Sequence, residues 1–131
     1  MNVVLDASAA LEIALNRKNA GFFAKALTDA DLRLAPDLLV PEAVNAVWKE
    51  HHFGGCDLGI CEEALDIVLN LVSAWVPCAE LYREAFHMSL LARRPACDMF
   101  YLALARREDA VLLTLDARLR KEAVRQGIRV A

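Results

Sequence analysis

Short apolar runs that stop at a polar or turn residue alternate along the chain with longer stretches of helical periodicity. Val3-Val4-Leu5 ends at Asp6 and leads into Ala7 to Leu15, a segment of strong helix formers, which predicts strand, turn and helix. A second helical pattern runs from Ala20 to Ala30, and Leu32-Arg33-Leu34 reads as a short strand closed by Pro36. Asp37 is placed to cap the next helix. Pro41 falls near its first turn, where a missing amide hydrogen costs little. That helix carries Glu42, Val44, Asn45, Val47 and Trp48 and is expected to give way to a loop at His51-His52-Phe53-Gly54-Gly55, whose glycine pair is the clearest breaker in the sequence.

A long helix from about Leu58 to Ser73 comes next, then Trp75-Val76 as a brief strand stopped by Pro77. Residues 79 to 92 form another amphipathic helix, which Pro95 ends near Arg93-Arg94. From Asp98 to Arg107 the pattern is apolar almost all round, as in a buried helix. Val111 to Thr114 is a continuous apolar run suited to a parallel strand covered on both faces. Asp116 starts the last helix, Gly127 ends it, and Ile128-Arg129-Val130 is a final strand. Such regular alternation predicts an α/β fold, a parallel sheet between layers of helices.

Composition narrows the setting. With 131 residues, 57% of them hydrophobic, the chain is expected to be a single domain over residues 1–131 with ample core material. No run approaches the roughly 18 uninterrupted apolar residues of a membrane span. Only four residues separate Met1 from Asp6, too few for the apolar core of a signal peptide, so the expectation is a soluble cytoplasmic protein. Cys56, Cys61, Cys78 and Cys97 form no C-x-x-C pair and no zinc spacing with the histidines, which favours free thiols. Net charge is -3, against a nonspecific nucleic-acid coat, although seven of the fifteen basic residues fall after position 105.

Within this frame four carboxylates stand out. Asp6, Glu42, Asp98 and Asp116 each sit where an apolar segment meets a turn or the first turns of a helix. In a parallel sheet, ligands bind outside the carboxyl ends of the strands where strand order reverses. If the strands ending at Asp6 and Asp116 are neighbours, both acids reach one crevice, with Asp98 and Glu42 arriving from helices. Clustered carboxylates repel one another, and a hard cation such as Mg²⁺ or Mn²⁺ relieves that conflict. Asp6 and Asp98 are then direct ligands. Glu42 and Asp116 act directly or through water, Asp116 most readily through water.

Each acid has an ordinary alternative role: Asp6, Asp98 and Asp116 as helix caps, Glu42 as first-turn charge. Ser8 and Thr114 lie two residues from Asp6 and Asp116 and are candidates to hold a carboxylate or a water, against a local backbone hydrogen bond. Asn45, one turn from Glu42, is an auxiliary candidate. Arg93 and Arg94 either grip phosphates or answer the helix macrodipole. His51, His52 and His87 make no nucleophile-base pair, and the five glycines form no phosphate-cradling G-x-x-x-x-G-K loop.

At these residues the chain resembles the PIN-domain nucleases, in particular the short VapC-type toxins of toxin-antitoxin pairs. The resemblance rests on Val4-Leu5-Asp6-Ala7-Ser8, Pro41-Glu42-Ala43-Val44-Asn45, Asp98 with Tyr101-Leu102-Ala103-Leu104-Ala105, and Leu113-Thr114-Leu115-Asp116. It implies a PIN-like three-layer α/β/α fold with a five-stranded parallel sheet. It also implies a Mg²⁺- or Mn²⁺-dependent endoribonuclease site on Asp6, Glu42, Asp98 and Asp116, with Ser8 and Thr114 as hydroxyl auxiliaries. A homodimer is implied too, as is a cognate antitoxin whose C-terminal segment occupies the active-site groove. Cys97 replaces the aromatic usual before the third acid. Two alternatives remain open at this point: a catalytically weak binding protein acting through an antitoxin and DNA complex, or a metal-dependent phosphatase. Phe53, Trp48 and Tyr101 are candidates for base stacking or for the core.

Overall fold

Strand β1 (Val3–Leu5) lies between two parallel neighbours, β2 (Arg33–Pro36) on one side and β4 (Val111–Leu113) on the other, with β3 (Ala74–Val76) beyond β2. The computed structural model describes residues 1–131. Helices α1 (Ala7–Ala14) and α2 (Ala20–Thr28) connect β1 to β2, and α3 (Leu39–Gly54) and α4 (Leu58–Leu71) connect β2 to β3. A 3-10 turn at Cys78–Glu80, α5 (Tyr82–Ala92) and α6 (Cys97–Arg107) lead to β4, and α7 (Ala117–Arg125) follows it.

The period-two alternation of strand side chains divides the core in two. Val4, Leu34 and Leu112 pack with α5, α6 and α7 through Met88, Leu102, Leu104 and Leu119. Val3, Leu5, Ala35, Val111 and Leu113 face the opposite layer, α1 to α4, through Ala10, Phe23, Leu39, Ala43, Cys61 and Val68. Strands β1 and β4 are buried along their whole length, as their unbroken apolar runs require, whereas edge strand β3 exposes Trp75. The α/β class and the PIN-like three-layer arrangement are as expected from the sequence. No helix is long and apolar enough to cross a membrane.

Several boundaries differ from expectation, each for a local reason. The sheet has four strands, not five: Val130 makes only an isolated parallel bridge to Leu112. Gly127 at φ +80° turns the chain back, and Ile128 N–H still bonds to the Ala123 carbonyl of α7 at 2.8 Å. Helix α3 runs through His51, His52 and Phe53, which were expected to be loop. The breaker acts later, as a cap: Gly55 takes the left-handed conformation (φ 67°) and its N–H returns to the Glu50 and His51 carbonyls. Asp37 does not cap α3; its carboxylate accepts the Cys78 backbone N–H at 2.9 Å, and Cys78, through its thiol first and its backbone second, holds it below the usual carboxylate range. Helix α6 starts at Cys97, so Asp98 lies within its first turn.

Candidate metal centre

The chain runs from β1 outward through β2 to β3, then returns to the other side of β1 for β4, so strand order reverses between β1 and β4. Register decides what meets there. Leu5 pairs with Leu113, so the next residues, Asp6 and Thr114, emerge side by side at the carboxyl ends of the strands. The Thr114 hydroxyl donates to Asp6 Oδ2, and the Ser8 hydroxyl donates to Asp6 Oδ1 at 2.7 Å. Ser8 Oγ also lies 3.3 Å from Thr114 Oγ1 and accepts the Leu115 N–H at 2.9 Å. Two hydroxyls thus tie the ends of β1 and β4 together around one buried carboxylate.

Asp6 is a helix cap as well, accepting Ala9 N–H at 3.0 Å at the start of α1. Asp116 caps α7 through Oδ1, which accepts Arg118 N–H at 2.9 Å and Leu119 N–H at 3.2 Å. Capping therefore coexists with a place in the site. Its Oδ2 is left free by these bonds. Helix α6 contributes Asp98 from its first turn, paired with Arg94 at 3.0 Å, so this arginine is already engaged by an acid. Arg93 takes a left-handed cap conformation at the end of α5. Three residues beyond Asp98, Tyr101 is 1% exposed and its hydroxyl donates to Glu42 Oε1 from α3.

Asp6, Glu42, Asp98 and Asp116 line one cleft of about 290 Å³, with Ser8, Asn45, Lys49 and Tyr101 among the other lining residues. Four elements each supply one acid. Thr114 stands behind the wall, joined to it through Asp6. Burial raises the Asp6 carboxyl above its ordinary value, against the hydrogen bonds from Ser8, Thr114 and Ala9, and Asp98 repels it further. Glu42 is raised by burial, against the Tyr101 bond, with Asp98 and Asp6 adding repulsion. Asp98 is raised by burial, against Arg94, with repulsion from Asp116. The Tyr101 phenol is raised by burial and by Glu42, so it stays a donor.

No three of these acids converge tightly enough to cage an ion as they stand. The donor set still fits a hard dication that keeps most of its water shell: all four acids offer oxygen, and Mg²⁺ characteristically takes only one or two carboxylates with water filling the rest. The charge conflict within the cleft calls for the same partner. By contrast Glu12, also buried, lies outside the cleft, and its Oε2 accepts the Asn19 backbone and side-chain N–H groups at 2.9 Å each, which ties the end of α1 to the start of α2. A larger open hollow of about 460 Å³ on α7 carries Arg118, Arg120 and Lys121 but no acid or nucleophile, so it has no catalytic chemistry of its own.

Sequence patterning pointed to the four acids, Ser8, Thr114 and Asn45. It missed Lys49 and the Tyr101–Glu42 bond. The Lys49 signal was present, since positions 42, 45 and 49 share one face of a helix. Nothing local indicated that Tyr101 would bond to a residue 59 positions away.

Thr114 makes a direct structural prediction. Thr114→Val keeps the volume but leaves Asp6 Oδ2 and the Asp116 N–H, which now donates to Thr114 Oγ1 at 3.0 Å, without their partner. Denaturant unfolding is expected to show a loss of about 2 kcal/mol, as for a buried polar group left unpaired. Thr114→Ser, which keeps the hydroxyl, should lose less than half of that; a loss as large as valine's would mean that the hydrogen bonds are not what the site chiefly depends on.

Among solved structures, PAE2754 from Pyrobaculum aerophilum superposes with a TM-score of 0.72 at 24% identity, over 93% of this chain and 87% of that one. VapBC2 from Rickettsia felis, bound to a DNA fragment from its promoter, matches at TM-score 0.69 and 16% identity, over 100% and 98%. VapC20 of Mycobacterium tuberculosis, a toxin that cleaves the sarcin-ricin loop, matches at TM-score 0.62 and 11% identity, over 91% and 93%. No curated protein matches in sequence. The model of the PIN domain matches residues 3–124, nearly the whole chain, and with the acids gathered at the switch point of the sheet this chain belongs to the PIN domain family.

Proposed function

We propose that this protein is a Mg²⁺- or Mn²⁺-dependent endoribonuclease that hydrolyses RNA phosphodiester bonds and serves as the toxin of a type II toxin-antitoxin pair. The observation that carries this reading is the meeting of Asp6, Glu42, Asp98 and Asp116, from four elements, in one open cleft. Family membership supports a nuclease. The likeness to VapBC assemblies and to a VapC toxin that cleaves the sarcin-ricin loop supports RNA as substrate and an antitoxin as partner. A homodimer in the cytoplasm completes the reading.

A divalent ion, if held in the cleft by these acids, would supply Lewis acidity for acidifying a water and offsetting charge on the phosphate. The chain's own groups do the rest. Asp6 and Asp98 are the direct ligands, Asp6 held rigidly by Ser8 and Thr114 and Asp98 steadied by Arg94. Tyr101 fixes one Glu42 oxygen, and the other, free of that bond, would orient a water. Asp116, tied to α7 through Oδ1, acts through water. Asn45 contacts the substrate from the same face of α3.

The test is cleavage of a labelled structured RNA by purified protein. The expected result is internal cuts with Mg²⁺ or Mn²⁺ and none with chelator. Turnover of mononucleotides with intact RNA would instead make the protein a phosphatase. Absence of both activities, with tight binding to a partner encoded beside it, would make it a binding protein.

A further inference from the structure

Helix α3 does not end at the cleft. Glu42, Asn45, Ala46 and Lys49 line it, and the helix continues for another turn through His52 and Phe53 to Gly54. Aromatic side chains on and just before that last turn face solvent: Phe53 is 76% exposed and Trp48 52%. They are organised, not scattered. Trp48 and His52 stack with ring centroids 4.9 Å apart at 9°, and Phe53 meets His52 edge-on at 4.6 Å and Trp48 at 5.9 Å. An exposed aromatic cluster of this kind costs solvation without stabilising the core.

Lys49 lines the acid cleft and follows Trp48 directly in the sequence of the helix. It is exposed and joins no ion pair, and the cleft's other nearby cation, Arg94, is bound to Asp98. A free ammonium at the rim of an acidic cleft suits an incoming anion. Phe53 lies four residues further on, about 6 Å along the helix axis.

We propose that the stretch of α3 from Trp48 to Phe53 is a binding track for single-stranded RNA, with Lys49 pairing a backbone phosphate and the Trp48–His52–Phe53 rings stacking an unpaired base. This rests on the ribonuclease reading of the cleft and adds to it where the strand lies. Lys49, a cleft-lining cation that joins no ion pair, favours RNA over a protein partner here. Stacking of this kind tolerates any base, so the track sets the direction and single-strandedness of the substrate more than its sequence.

The experiment measures binding of a fluorescent single-stranded oligoribonucleotide to the cleavage-disabled Asp6→Asn protein, with Lys49→Gln, Trp48→Ala, Trp48→Phe or Phe53→Ala added. Lys49→Gln is expected to flatten the slope of log Kd against log salt by about 0.7, one phosphate contact on a single strand. Trp48→Ala and Phe53→Ala should each weaken binding by about tenfold without changing that slope, while Trp48→Phe retains most of it. Unchanged affinity and slope in all variants, with the unmodified protein still cutting RNA, would overturn the track and leave the ribonuclease reading standing. If the unmodified protein neither binds nor cuts RNA, both fall. If the aromatic substitutions change the sedimentation mass and not the RNA affinity, the face is a protein interface and the proposal is wrong.

Discussion

Asp6→Asn is expected to abolish Mg²⁺-dependent RNA cleavage, by at least about a hundredfold, in a protein that remains folded. The fold survives because asparagine caps helices as well as aspartate does, so Oδ1 still accepts from Ala9 and Ser8. On the Oδ2 side an amide nitrogen cannot accept from Thr114, but the threonine hydroxyl rotates to become the acceptor. What is lost is the charge. Losing a group that merely supports a metal ligand costs about 10- to 100-fold, so losing a ligand itself should cost more. Asp98→Asn should do the same, although Asp98 is half-buried and also gives up its ion pair with Arg94. Cleavage assays and far-UV circular dichroism on both single variants and the double variant check this; a folded double variant that still cuts RNA within about tenfold of the parent would remove the carboxylates from the mechanism.

Much of this site was legible because it depends on short-range signals. Val3-Val4-Leu5 before Asp6 and the run from Val111 to Thr114 before Asp116 announce two buried strands, although it is Thr114, not Asp116, that the register sets beside Asp6. Their pairing was a condition the sequence could state but not decide, since register between distant strands is set by packing on both faces. Asp116 and Asp6 had to be judged as caps or as site acids, and the structure makes them both. The errors share one cause: local signals were read without their tertiary partners. Gly54-Gly55 marks a helix end, yet which side of His51 it ends on depends on how Gly55 closes its bonds to Glu50 and His51. Asp37 has the chemistry of a cap, but Cys78, 41 residues away, takes its carboxylate. Ile128 to Val130 has a strand's composition, but Leu112 provides only two backbone hydrogen bonds for it, and the Gly127 turn keeps Ile128 attached to α7.

The charge conflict in the cleft should be measurable as stability. Asp6, Glu42 and Asp98 all have folded values raised above their ordinary ones, burial being the first cause in each. A carboxyl raised in this way binds its proton more tightly folded than unfolded, so stability falls as pH rises from the unfolded carboxylate range, about 4, through the folded values. Above those values the penalty is complete. The metal-free protein is therefore expected to melt at a higher temperature at pH 5 than at pH 7.5, until still lower pH protonates acids such as Asp37 whose folded values are depressed. A dication reverses the order by binding the ionised acids: at a hundred times its dissociation constant it adds about 2.7 kcal/mol, or roughly 10 °C in Tm for a chain of this size, at pH 7.5. At pH 5 protons compete for the same oxygens and the increment shrinks. Asp6→Asn removes one of the repelling charges, so its metal-free Tm at pH 7.5 should exceed that of the parent while its response to Mg²⁺ diminishes, the exchange of stability for function that active sites commonly make. Thermal melts of both proteins at the two pH values, with chelator and with Mg²⁺, decide it: a parent that is least stable at pH 5 without metal, or a variant with an undiminished metal response, would show that these acids neither repel one another enough to matter nor meet at a common ion.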